Sequence, residues 1–352
     1  MFSSGGPVLL DGGLATELEA RGYDLSDSLW SARLLADDPD AIVAAHTAFF
    51  RAGAEVATTA SYQASFPGFA TRGIGTAEAA RLMRRSVELA RRARDAVAGD
   101  SSGTAPGGAT DDASGGDADG ASGRTGDRTG SRNGDQTGGW SGGRTGGWSG
   151  GAFDTSGGRR RVAASVGPYG AVLADGSEYR GRYGLSHREL LAFHRPRLEV
   201  LAEAKPDLIA FETVPDVDEA VAELDALESV DVPAWLSYTV AGGRTRAGQR
   251  LEDAFAVAAE RERVLAVGVN CCSPDEVADA VVIAREVTGK PVVVYPNSGE
   301  GWDARNRRWT GRSAFSPGGV NQWIVEGAAL VGGCCRVRPG DIADLARSLG
   351  LT

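Results

Sequence analysis

The stretch LAVGVNCCSPDEVADAVVIAREVTG, residues 265–289, contains one complete structural unit. Leu265–Asn270 is a short continuous apolar run, the pattern of a strand buried on both faces. Pro274–Thr288 follows with apolar residues at helical spacing. Most of the chain repeats this alternation. Strands are expected at Val8–Asp11, Glu55–Ser61, Arg161–Val166, Leu208–Glu212, Ala234–Val240, Leu265–Asn270, Pro291–Pro296 and Ala329–Gly332. Helices are expected at Pro39–Gly53, with Asp38 as cap, and at Thr76–Val97, His187–Ala204, Asp216–Leu227, Leu251–Arg261, Pro274–Thr288, Pro317–Glu326 and Pro339–Leu349. About eight strand–helix units with continuous apolar strands imply a parallel sheet. That number favours an α/β fold of the closed (βα)8 TIM-barrel type.

One segment breaks the pattern. Residues 100–160 are Gly, Ser, Thr, Asp and Arg with almost no aliphatic side chains, and TGGWSGG recurs at 137–143 and 145–151. Such a composition buries too little apolar surface to offset its ordering entropy. The expected organisation is a single barrel domain over residues 1–352, carrying a flexible low-complexity insertion at 100–160 before the third strand. Trp140 and Trp148 read as part of that repeat.

At 42% hydrophobic residues the chain can bury a sizeable core. No apolar run is long enough to span a membrane, and Met1–Gly6 lacks the basic and apolar regions of a signal peptide. The cytoplasm is the expected location. A net charge of -10 argues against a nucleic-acid partner. Lys205 and Lys290 are the only lysines. Adaptation to a salty cytoplasm is one reading of that bias, and a GC-rich genome is the alternative.

The residues with chemistry follow the strands. Asp11-Gly12-Gly13 follows the first, Ser61-Tyr62-Gln63 the second, Gly167-Pro168-Tyr169 the third, and Glu212-Thr213 ends the fourth. Asn270-Cys271 ends the sixth, Tyr295–Ser298 the seventh, and Gly333-Cys334-Cys335 the eighth. In a parallel barrel all these ends meet at one mouth, where active sites of this fold lie.

All four cysteines fall in two adjacent pairs, which is not a disulfide framework. Cys271, Cys334 and Cys335 form a three-thiolate set with one open tetrahedral position, the catalytic kind of zinc site. Three anionic ligands weaken the metal as a Lewis acid for water but leave a bound thiolate nucleophilic, which suits sulfur alkylation better than hydrolysis. Cys271 and Cys272 point oppositely on an extended chain, so only one faces the mouth; Cys271 is the expected ligand. Asp11 and Glu212 are placed to hold an ammonium group, and the Gly12 and Gly13 amides to meet a carboxylate. Asp11 also reads as a turn residue, and Glu212 as half of an ion pair with an arginine. His46, His187 and His194 fall in helix patterns and read as helix or core residues. No phosphate loop or Ser-His-Asp nucleophile motif is present.

The chain resembles the homocysteine S-methyltransferases, most closely the bacterial S-methylmethionine-dependent type. The resemblance runs from Val8 to Leu349, outside the insertion. It rests on DGGLATELEARG (11–22), DSLWSA (27–32), TASYQASFPGF (59–69), SVGPYGA (165–171), LADGSEYRG (173–181), FHRPR (193–197), GVNC (268–271), YPNSGE (295–300) and GGCC (332–335). It implies a (βα)8 barrel with Zn2+ on Cys271, Cys334 and Cys335. Homocysteine sulfur takes the fourth position, its amino group lies on Asp11 and Glu212, and its carboxylate meets Gly12 and Gly13. Asn270 and Tyr62 join the expected substrate-binding set. A sulfonium donor, S-methylmethionine or S-adenosylmethionine, supplies the methyl group, with Tyr62, Tyr169 and Trp30 expected to pack against its charge. The insertion and Cys272 are departures from the family pattern. The competing readings are a non-catalytic zinc- or thiol-binding barrel, with Cys272 as a fourth ligand, and a methyltransferase for another thiol or a selenol such as selenocysteine.

Overall fold

Strand residues alternate between two faces, and here the two faces meet different cores. Val8, Leu10, Val56, Ala163, Leu208, Ala210, Trp235, Ala266, Val293 and Leu330 pack together inside the ring of strands. Their neighbours Leu9, Val162, Ala164, Ile209, Phe211, Leu236, Val267 and Val292 pack outward under the helices. The expected barrel is present. In the computed structural model, which describes residues 6–25, 31–102, 160–303 and 308–351, eight strands form one parallel sheet. They are β1 (Val8–Leu9), β2 (Val56–Thr58), β3 (Arg161–Val166), β4 (Leu208–Val214), β5 (Ala234–Tyr238), β6 (Val264–Asn270), β7 (Val292–Tyr295) and β8 (Ala328–Val331). β1 pairs with β8, and a parallel bridge between Leu10 and Val56 joins β1 to β2. The Asp11 N–H donates to the Val56 carbonyl at 3.0 Å beside that bridge.

The helices expected between strands are present, several with legible caps. Asp38 accepts from the Ala41 N–H at the start of Pro39–Arg51, and Ser186 and Glu189 form a capping box before His187–Glu203. Short helices not anticipated occupy Leu14–Ala20, Ser31–Asp37, Phe66–Ala70 and Tyr169–Leu173, and Val240–Ala241 pairs with Arg244–Thr245. The helix expected to end at Val97 runs to Ser102, beyond the expected start of the insertion at residue 100. Val97 still packs on Phe50, Ala57 and Ala93, and no proline interrupts the following turn. The chain divides into Met1–Ser101 with Ala152–Thr352, and Ser102–Gly151. Residues 103–159, with Trp140 and Trp148, lie outside the described residues, as does Trp30. Among the described residues no helix is long and apolar enough to cross a membrane.

One glycine fixes how closely two strands approach. A Cβ on Gly268, in the middle of β6, would lie 1.8 Å from the Val293 carbonyl oxygen of β7. This close packing brings the ends of β6 and β7 together beneath the site.

Candidate metal centre and substrate cavity

Cys271 leaves β6 with φ of +50°, a left-handed conformation rare for residues with a Cβ. Its N–H donates to the Tyr295 carbonyl and its own carbonyl accepts from Thr239 Oγ1, both at 3.2 Å. The turn puts Cys271 on the cavity wall and sends Cys272, 1% exposed, into the core under the helices. Burial raises the Cys272 thiol far above its ordinary pKa.

Cys334 and Cys335 follow β8 and are held by the loop after β7. The Cys334 N–H donates to the Pro296 carbonyl at 2.7 Å and the Cys335 N–H to Asn297 Oδ1 at 3.1 Å. Ser298 N–H returns a bond to the Cys335 carbonyl at 3.0 Å. Gly13 lies against the same turn: a Cβ there would sit 2.6 Å from the Cys334 carbonyl oxygen. Thus the DGG and GGCC segments meet backbone to backbone.

The three sulfurs lie within 4.8 Å of one another, with Cys271 and Cys335 at 3.8 Å. Sulfur–zinc bonds of about 2.3 Å at tetrahedral angles separate sulfurs by about 3.8 Å. Both the spacing and the soft donor set fit zinc. Hydrogen bonds from the Cys334 and Cys335 thiols hold Cys271 well below its ordinary pKa, with help from the Tyr179 hydroxyl and Asn297. Cys334 and Cys335 are raised by the same sharing with Cys271.

The carboxylates stand beside the sulfurs. Glu212 continues the inward-facing series of Leu208 and Ala210, which puts it inside the barrel with Ser165 and Tyr295. Ser165 Oγ donates to Glu212 Oε1, and no arginine pairs with Glu212 among the described residues. Burial raises its pKa to about 7 despite the Ser165 and Tyr295 hydroxyls. Asp11 is buried just behind the wall. The Thr58 N–H and hydroxyl donate to it at 2.9 and 3.1 Å. Burial raises Asp11 strongly, these bonds oppose the rise, and the charge of Glu212 adds to it. Two buried carboxylates that repel one another are a receptor for a cation.

The expected site residues divide accordingly. Gly12, Gly13, Tyr62, Glu212 and the three cysteines all line one cavity. The Gly13 N–H is already donated to the Val337 carbonyl at 2.9 Å. Asn270 is placed differently and is not on the cavity wall. It is fully buried, and its amide is spent on Thr213: Oδ1 accepts from the Thr213 N–H at 2.7 Å and Nδ2 donates to Thr213 Oγ1 at 2.8 Å. Through these bonds it holds the β4 end, with Thr213 at φ +61°. Tyr169 also falls outside the cavity wall; its ring packs on Tyr183 and Phe193 at 5.3 and 5.0 Å. The histidines take the helix and core positions expected. His46 is buried in its helix, His187 pairs with Asp225 at 3.2 Å, and His194 meets Glu219 at 3.0 Å.

Three contributors escaped sequence reasoning. Tyr179 places its hydroxyl 3.2 Å from Cys271 Sγ, and Glu178 lines the cavity beside it. Both sit in LADGSEYRG, where closely spaced glycines signal a constrained turn. Arg197, fully buried, donates to the Gly167 and Tyr62 carbonyls at 2.9 Å each and so fixes the backbone that carries Tyr62.

Known proteins resemble this chain over most of its length. The sequence profile described as Homocysteine S-methyltransferase matches residues 8–349. Homocysteine S-methyltransferase 4 of Zea mays is 41% identical, covering 98% of this chain and 90% of its own. Homocysteine S-methyltransferase of Escherichia coli is 40% identical, covering 97% and 95%. Homocysteine S-methyltransferase YbgG of Bacillus subtilis is 37% identical, covering 98% and 96%. The crystal structure of the homocysteine methyltransferase MmuM from Escherichia coli, in its metallated form, superposes with a TM-score of 0.75 at 37% identity, covering 98% of this chain and 96% of that one. By its sequence and its fold, the chain belongs to the homocysteine S-methyltransferase family.

Proposed function

We propose that this enzyme transfers a methyl group from a sulfonium donor, S-methylmethionine in the first instance, to the sulfur of homocysteine, giving methionine, with Zn2+ held by Cys271, Cys334 and Cys335. The observation that carries this reading is the make-up of the cavity wall. Three cysteines, two glutamates and three tyrosines line it, and no lysine, arginine or histidine does among the described residues. Such a wall suits an ammonium and a sulfonium, and it disfavours an anionic donor.

The substrate's amino group bridges Glu212 and Asp11, whose mutual repulsion it relieves. Its carboxylate lies toward Gly12 and the turn Leu14–Thr16, all of which border the cavity. Tyr62 closes the wall over the reacting groups. When bound, zinc stabilises the substrate's thiolate, so that the sulfur nucleophile is present at neutral pH. The thiolate attacks the donor methyl group in line, and the bond between that methyl and the sulfonium sulfur breaks. The sulfonium leaves as a neutral thioether, so the residues of the site need supply no proton. Their work is alignment and exclusion of water.

A structural four-cysteine site is disfavoured by the burial of Cys272 in the outer core. The domain reading belongs to the same proposal: one homocysteine-binding barrel domain over 1–352 with an insertion at 100–160, supported by a family match that runs across the insertion. Four unpaired cysteines fit a reducing compartment such as the cytoplasm. The test is methionine formation from homocysteine with S-methylmethionine and with S-adenosylmethionine, with zinc measured on the same sample. Turnover with at least one donor, faster with S-methylmethionine, is expected. Zinc-loaded protein that turns over neither donor refutes the proposal.

A further inference from the structure

Glu178 has no part in holding homocysteine in the scheme above, yet it is built into the same cavity. It is 7% exposed, lines the cavity next to Cys271 and Tyr179, and its buried Oε2 has no hydrogen-bond partner. Among the described residues no ion pair is made to it. An unpaired buried carboxylate is costly, and one at a cavity wall is paired only when a ligand arrives.

The segment that carries Glu178 is held firmly. Ser177–Tyr179 forms a single 3-10 turn, entered through Gly176 at φ +81°. The Ser177 N–H donates to Asp175 Oδ1 at 2.9 Å, and the Gly181 N–H to the Ser177 carbonyl at 3.0 Å. Asp216 Oδ2, on the next strand–helix connection, accepts from the Arg182 N–H at 2.9 Å. A Cβ on Gly170 would meet the Glu178 nitrogen at 2.5 Å, so the helix Tyr169–Leu173 is pressed against the turn. Tyr179 then ties the turn to the metal centre through Cys271 Sγ. These contacts fix a carboxylate near the sulfurs, where the methyl group must be delivered.

We propose that Glu178 is the counter-ion of the cationic methyl donor and sets the enzyme's preference for sulfonium compounds. The inference rests on the reading of the reaction given above. If Asp11 and Glu212 neutralise the homocysteine ammonium, Glu178 is the cavity carboxylate left for the second cation. The charge changes during the reaction in a useful direction. The sulfonium sulfur keeps the electron pair of the broken bond and becomes neutral, so its attraction to Glu178 vanishes on transfer. Glu178 therefore binds donor in preference to the neutral thioether product, and favours product release.

The test is steady-state kinetics of Glu178→Gln and Glu178→Asp, with S-methylmethionine, S-adenosylmethionine and a simple dimethylalkylsulfonium that lacks an amino group. An ion pair at a partly buried wall, between the weak attraction of bulk water and the stronger one of a protein surface, corresponds to roughly tenfold to hundredfold in affinity. Glu178→Gln should raise the donor KM by about that factor, with the homocysteine KM, the zinc content and inhibition by methionine little changed. Glu178→Asp should recover part of the loss. An equal effect with the simple sulfonium identifies the sulfonium charge as the partner. An effect seen only with the amino-acid donors overturns the proposal in favour of ammonium binding. A donor KM within twofold of the parent, or a loss of zinc or of homocysteine affinity instead, also overturns it. If the parent enzyme itself turns over no sulfonium donor, the reaction reading has failed rather than the role of Glu178.

Discussion

Replacing Asn270 with alanine separates two accounts of that residue. Its amide makes two buried bonds to Thr213, at 2.7 and 2.8 Å. Truncation leaves the Thr213 N–H as an orphaned buried donor, at about 1–3 kcal/mol. Loss of the bond to the Thr213 hydroxyl adds about 1 kcal/mol. Thr213 at φ +61° is itself strained and loses the contact that holds it there. The sum is about 2–4 kcal/mol, a large share of the roughly 5–15 kcal/mol that keeps a domain folded. Urea unfolding of parent and Asn270→Ala proteins reads this directly, and homocysteine KM is measured beside it. Asn270→Asp keeps an acceptor for the Thr213 N–H and should lie between the two in stability. A variant of unchanged stability with a raised homocysteine KM would refute the argument and restore Asn270 as a substrate ligand.

Cys272→Ser should keep its metal and lose about 1–3 kcal/mol for a hydroxyl in an apolar core, whereas serine at Cys271, Cys334 or Cys335 should lose bound metal; metal analysis and unfolding curves distinguish them. Gly268→Ala drives a methyl group into the Val293 carbonyl and should lower stability by about 3 kcal/mol or more, or yield insoluble protein; a soluble variant with the parent's melting temperature contradicts the strand spacing. His46 is buried in the Pro39–Arg51 helix, and burial lowers its pKa from 6.5 to about 4. The unfolded chain therefore binds the extra proton between those values, so stability falls as pH drops from 6.5 toward 4, by on the order of 3 kcal/mol. His46→Leu should flatten that part of the stability profile, and an unchanged slope would assign the acid sensitivity elsewhere.

The order of strands and helices was readable because apolar runs and helical spacing are local signals. The sulfur cluster was readable because Cys271, Cys334 and Cys335 close strands whose ends must converge. Their neighbours were not. Asn270 adjoins Cys271 in sequence and so reads as a mouth residue; in the structure Cys271 turns left-handed and the Asn270 amide bonds to Thr213. Glu178 and Tyr179 reach the sulfurs from a turn far away in sequence, and no periodicity announces that approach. Tyr169 stands in SVGPYGA, two residues after Gly167, yet its ring is claimed by Tyr183 and Phe193. The helix Leu14–Ala20 was missed because LATELEA is too short to display a face of its own.

The contact between Gly13 and the Cys334 carbonyl has a consequence for biosynthesis. A ribosome that has translated as far as Gly332 has already released Asp11 and Cys271 but neither partner thiol. The sulfur trio forms only when the last strand docks between the first and the seventh, a closure across nearly the whole chain and a slow kind of step. Until then Cys271 and its neighbour Cys272 are exposed thiols on an incomplete ring, open to oxidation. The sulfur cluster is thus a late product of folding, and a nascent chain stalled short of the GGCC segment cannot assemble it.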